Sequence, residues 1–86
     1  MLKIKDNVDL KKIKKFGFVK YYDCYSKRLM FYGNCQMIIK LRSRRILIHY
    51  NEFDLFFLKF WNETLFDLIQ AGFVEKIEGV DYEQLF

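Results

Sequence analysis

Residues 35–50 read CQMIIKLRSRRILIHY, and apolar side chains recur at every second position on both sides of a polar centre. Folding this stretch about a two-residue turn at Ser43-Arg44 sets Leu41 against Ile46, Ile39 against Ile48 and Met37 against Tyr50. The other face then carries Arg42 with Arg45, Lys40 with Leu47 and Ile38 with His49. One face is wholly apolar and the other mixed, the pattern of antiparallel strands buried on a single side. A second layer must cover the apolar face.

Upstream, FVKYYDCY (18–25) reads as a strand, Ser26-Lys27 as a turn and RLMFY (28–32) as the next strand. Gly33-Asn34 is a two-residue hairpin signal leading into residue 35. Before the strands, Asp9 is placed to cap a short helix over 9–16, with Leu10, Ile13 and Phe16 on one face. Gly17 suits the left-handed position after the last turn, and Phe18-Val19 starts the extended chain. The same grammar returns near the end, where LIQAGFVEKI (68–77) repeats Gly-Phe-Val after a second helical pattern. A duplicated unit would explain the repetition, and so would two independent helix stops, the preferred reading because a glycine after the last turn closes about a third to a half of helices.

That second pattern, NEFDLFFLKFWNETLFDLIQAG, reads as one helix over about 52–71. Glu52, Lys59, Glu63, Asp67 and Gln70 form a narrow polar stripe, and the remainder is almost entirely apolar. The alternative is a strand at 53–60 followed by a helix at 62–71 capped by Asn62. The expected fold class is α+β: a short N-terminal helix, a three- to four-stranded antiparallel β-meander, and a longer C-terminal helix packed on the sheet. Its core is expected to hold Ile39, Leu41, Ile46, Ile48, Phe57 and Leu68. One domain spans 1–78, and 79–86 form an acidic tail.

Charge is divided along the chain. Residues 1–50 hold 13 Lys/Arg against 3 Asp/Glu, and residues 51–86 hold 2 against 8. Such asymmetry bears on partners and not on fold. The absence of proline, the single alanine and the abundance of Lys, Ile, Phe and Tyr match the usage of an AT-rich genome. No apolar run reaches the ~18 residues of a membrane span, and MLKIKDNVDLKK lacks the apolar region of a signal peptide. A cytoplasmic protein with no membrane association is expected, with Cys24 and Cys35 as reduced thiols.

Catalytic and metal signals are weak. His49 is the only histidine, and its spacing from Cys24 and Cys35 matches neither a nucleophile–base pair nor a common ligand set. No phosphate loop or metalloprotease helix occurs. No enzyme, cofactor or metal is therefore expected. Two binding patterns stand out instead. The C-terminal helix offers Phe56, Phe60, Trp61 and Phe66 as apolar anchors for a protein partner or a homodimer seam, with Glu63 and Asp67 as a charged rim. Alternatively, Lys40, Arg42, Arg44 and Arg45 on the hairpin tip, with Lys11 and Lys15 on the first helix, suit the phosphates of a nucleic acid. Tyr21, Tyr22, Tyr25 and Phe31 would supply stacking surfaces.

IKDNVDLKKIKKFGF (4–18) and ETLFDLIQAGFVEKI (63–77) resemble the ends of short proteins encoded by phages and prophages of low-GC Gram-positive bacteria. The resemblance covers about a third of the chain. It implies an accessory protein acting in the host cytoplasm by binding a host protein, including a CRISPR or other defence effector, as an inhibitor by steric blockade. It carries over no active-site residues.

Overall fold

The structure is a computed structural model that describes residues 1–29, 35–49 and 57–77. In chain order it contains strand β1 (Leu2–Ile4), a 3₁₀ helix (Leu10–Phe16), β2 (Val19–Tyr21), β3 (Cys24–Arg28), β4 (Gln36–Lys40), β5 (Ile46–His49), helix α1 (Phe57–Gln70) and β6 (Val74–Lys76). The architecture is α+β, with a four-stranded antiparallel meander ordered β2-β3-β4-β5 and a separate β1-β6 pair. The Gly33-Asn34 turn, Phe31, Tyr50, residues 52–56 and the 79–86 tail lie outside the described residues.

The first helix is 3₁₀ rather than α, and the spacing of its apolar residues explains why. Leu10, Ile13 and Phe16 recur every third position, the period at which a 3₁₀ helix eclipses its side chains. Ile13 is fully buried, and Leu10 and Phe16 pack against the same core. Asp9 caps the start by accepting the Lys11 N–H at 3.0 Å. Gly17 ends the helix at φ 96°, its N–H donating to Lys14 O at 3.0 Å.

The meander departs from the expected strands in two places. Residues 18–25 do not form one strand: Tyr22-Asp23 turn the chain, and Tyr21 pairs with Cys24. Ser26-Lys27 do not turn; they lie inside β3, opposite Ile38 and Met37 of β4. The β2–β3 hairpin carries no local turn signal, because its tip is Tyr-Asp rather than the glycine or asparagine that usually marks such turns.

The β4–β5 hairpin also differs from its expected register. Ile39 pairs with Ile46 and Met37 with Ile48, because the loop holds four residues, Leu41 to Arg44, instead of two. The shift is two positions. An even shift leaves every side chain on its original face, so the buried face survives intact. Tyr25, Met37, Ile39 and Ile46 share that face and are buried, with Leu68 of α1 and Ile13 of the 3₁₀ helix in the same cluster. Leu41 only packs against its margin, and Ile48, on the edge strand β5, is exposed. Phe57 begins α1, and its side chain lies outside the described residues.

Residues 57–60 are helical, which removes a strand over 53–60 for that part of the segment. Helix α1 ends in a Schellman motif: Phe73 N–H reaches Leu68 O at 3.1 Å, and Gly72 N–H reaches Ile69 O at 2.9 Å. Gly72 supplies the left-handed φ of 77° that this ending requires. The chain then enters β6, which pairs with β1 through Leu2–Lys76, Lys3–Glu75 and Ile4–Val74. The two Gly-Phe-Val stops converge in space, since the Phe16 and Phe73 rings meet edge to face at 6.0 Å.

Arg44 joins the two sheets. Its carbonyl accepts Ile4 N–H at 2.9 Å, and its guanidinium donates to the carbonyls of Lys5, at 2.8 Å, and Val8. It does so from φ 61°, a left-handed conformation that costs a non-glycine residue roughly 1–2 kcal/mol. Arg44→Ala is expected to lower the unfolding free energy by about 2–3 kcal/mol, the scale for hydrogen bonds from a charged donor. Arg44→Gly is expected to cost about 1 kcal/mol less, because glycine accepts positive φ. Urea unfolding of the three proteins checks both values, and equal midpoints would remove the clamp.

Candidate functional site

Burial along α1 follows the helical period. Leu68 and Thr64 are buried, and Trp61 and Leu65 are half-buried against the core. A 3.6-residue repeat cannot turn the neighbouring positions inward as well. Leu58, Phe66 and Ile69 consequently stand outside, 48%, 58% and 50% exposed. With Asn62 and the margin of Leu65 they form one uncharged stripe along the helix, at positions three, four, seven and eight apart.

The expected anchors separate on this helix. Phe66 belongs to the exposed stripe, Trp61 is drawn into the core packing, and Phe56 lies outside the described residues. Phe60 sits on the other edge of α1 with Glu63 and Asp67, where the three line a shallow cleft against Lys27, Arg28 and Leu29. The cleft holds about 130 Å³, less than the roughly 300 Å³ at which small-molecule sites begin. Its walls carry opposite charges from helix and strand. Leu58 and Ile69 were not among the expected anchors. A helical wheel drawn outward from Leu68 would have found them.

The basic residues also separate. Arg44 is committed to the Lys5 and Val8 carbonyls. Lys40 pairs with Asp23 at 3.0 Å. Lys15 lies over the Phe16 and Phe73 rings at 5.3 and 5.6 Å, a cation–π arrangement that places its charge at the helix junction. Arg45 bridges to Lys3 across the gap between the sheets. Arg42 and Lys11 are exposed. Of the expected stacking rings, Tyr25 is buried at 4% exposure, whereas Tyr21 and Tyr22 are 64% and 83% exposed. Leu41 N–H donates to Asp23 O at 2.9 Å and holds the β4–β5 loop beside the β2–β3 tip. The tip that carries Tyr21 and Tyr22 and the loop that follows Lys40 and carries Arg42 are thereby neighbours.

Cys24 and Cys35 are buried free thiols, and Cys24 Sγ donates to Tyr21 O at 3.3 Å. His49 stands opposite Gln36 at the far end of the sheet from Cys24, which stands opposite Lys40. No group of three or more His, Cys, Asp or Glu able to hold a metal ion occurs among the described residues. Nor is any described helix long and apolar enough to cross a membrane.

The Lys40 ammonium hydrogen-bonds the Asp23 carboxylate and adds its charge, which lowers the pKa of Asp23 and raises that of Lys40. Lys3 lowers the pKa of Asp6 in the same way, by a hydrogen bond at 2.9 Å and by its charge. For Asp23 the folded pKa lies below the unfolded one, so the pairing supports the fold above the ordinary value of 3.8. That support is lost as pH falls through the depressed folded value. An NMR pH titration is expected to place the Asp23 midpoint below 3.8 and to return it upward in Lys40→Met. A midpoint unmoved by the substitution would separate the two groups. Comparison with protein-family models, curated proteins and solved structures returned no match.

Proposed function

We propose that this chain is a protein-docking module that engages an apolar groove on a partner through the outer stripe of α1. The observation that carries the reading is the exposure of Leu58, Phe66 and Ile69 on a helix whose inner face is already filled by Leu68 and Thr64. Three large apolar side chains along one uncharged line match the helix-in-groove mode of recognition, read as anchors at one-turn and two-turn spacing. Fully burying a Leu, Ile or Phe is worth about 1.5–3 kcal/mol. Each of the three keeps about half of its surface open, so docking recovers on the order of 1 kcal/mol from each.

The charged rim of this surface is Lys59, which is exposed and borders the stripe on its solvent side. In a phage-encoded setting the consequence of docking is steric blockade of a host protein, as the terminal segments suggest. The function is occupancy of a surface and asks no chemistry of the described side chains.

The test uses the intact chain as bait in host lysate, with Phe66→Ala/Ile69→Ala and, as a control on the other helix edge, Phe60→Ala. The double variant is expected to lose the captured polypeptide while unfolding at the wild-type urea midpoint. Phe60→Ala is expected to retain capture. Equal capture by all three proteins would overturn the stripe as the docking surface. Light scattering on the purified protein reads the remaining occupant, since a dimer abolished by Phe66→Glu would make the partner a second copy.

A further inference from the structure

Tyr21 and Tyr22 close the β2–β3 hairpin with most of their surface open to solvent. Their rings meet edge to face at 4.9 Å and 84°. An edge-to-face pair covers one face of one ring only, so ring surface stays open at this tip, and neither tyrosine belongs to the buried cluster.

Tyr22 also holds φ at 52°. Left-handed backbone is uncommon for a bulky residue, and a two-residue hairpin normally assigns it to Gly, Asn or Asp. Strain retained beneath a ring that the core does not use points to a ring employed at the surface.

The charge around this tip is arranged for an anion. Asp23 is the acid of the turn, and Lys40 holds it. The other two acids of the first fifty residues are engaged as well, Asp6 by Lys3 and Asp9 as the cap of the 3₁₀ helix. Arg42 is exposed on the neighbouring loop, one residue beyond the Leu41–Asp23 hydrogen bond. An aromatic pair with an exposed guanidinium beside it, on a chain half with 13 cations against 3 acids, suits bases joined by phosphates.

We propose that the β2–β3 tip binds single-stranded nucleic acid, with an unpaired base stacked on an open tyrosine face and Arg42 against the adjoining phosphate. Bases already paired inside a duplex cannot reach a protruding ring, so single strands are the preferred form. Tyr21 shares its sheet face with Cys24 and Lys40, opposite the face that carries Tyr25 and Ile39 beneath α1. The site is therefore separate from the docking stripe, and each stands or falls alone.

Fluorescence anisotropy with labelled oligo(dT), oligo(rU) and a duplex, each of about twelve nucleotides, tests the site across salt. The wild type is expected to prefer both single strands to the duplex, and the tighter arm identifies the sugar. Tyr22→Gly is the decisive variant, because glycine relieves the left-handed backbone while removing the ring. It is expected to raise Tm yet weaken single-strand binding about tenfold, the scale of one lost stacking contact. Tyr22→Phe should keep the binding. Arg42→Ala should flatten the slope of log K against log salt by about 0.7, the share of one phosphate on a single strand. Undetectable binding at low salt, equal affinity for duplex, or unchanged affinity in Tyr22→Gly would each overturn the proposal.

Discussion

The guanidinium of Arg44 is where the meander and the chain ends become one body. It donates to two backbone carbonyls of the N-terminal segment, while the Arg44 carbonyl receives the N–H of Ile4. That attachment sets β1 beside the end of β5. β1 in turn pairs with β6, and β6 follows directly from the Schellman ending of α1. The end of the helix is thus tied to the meander through a strand pair whose register is kept by its own ladder, with Lys5 N–H donating to Phe73 O and Ile77 N–H to Met1 O, and whose β1 member Arg44 fastens to the β4–β5 loop. Both bonds leave one terminal nitrogen, Nη1, so a single charged group serves two backbone acceptors.

Two outward surfaces follow from this arrangement, and they lie on opposite sides of the meander. The apolar face is covered by α1 and the 3₁₀ helix, whose inner residues meet Met37 and Ile39. The large apolar side chains that α1 leaves outside are Phe60, on the cleft edge, and the Leu58–Phe66–Ile69 stripe. On the other face, the rows Val19–Ser26–Ile38–Leu47 and Tyr21–Cys24–Lys40 remain without a covering helix among the described residues. Val19 is 67% exposed there, beside the tyrosine tip. The cationic half and the apolar helix therefore do not merge into one interface. They serve different geometries, a protruding tip and a flat stripe.

Much of the fold could be read from local pattern. The alternation over 36–49 demanded a sheet buried on one side, and the two glycines marked the ends of two helices. The short N-terminal helix was expected from its cap and apolar face, whereas its 3₁₀ character came only with the structure. The β2–β3 hairpin was hidden because Tyr22 takes a conformation that its residue type disfavours. The β1–β6 pair was hidden for another reason: its three-residue strands carry too little pattern, and their partners lie at opposite ends of the chain.

The candidate sites show the same division. Residue type and spacing established which side chains were cationic, aromatic or apolar, and that the hairpin loop and the last helix concentrated them. Whether each was available to a partner was a matter of packing. Trp61 and Phe66 look alike in sequence, yet the helix phase set by Leu68 draws one inward and leaves the other out. Arg42 and Arg44 are two residues apart, yet only the approach of Lys5 and Val8 gives Arg44 its two carbonyls. Local periodicity is written in neighbouring residues, but availability depends on which distant backbone and side-chain groups arrive first at each charge and each ring.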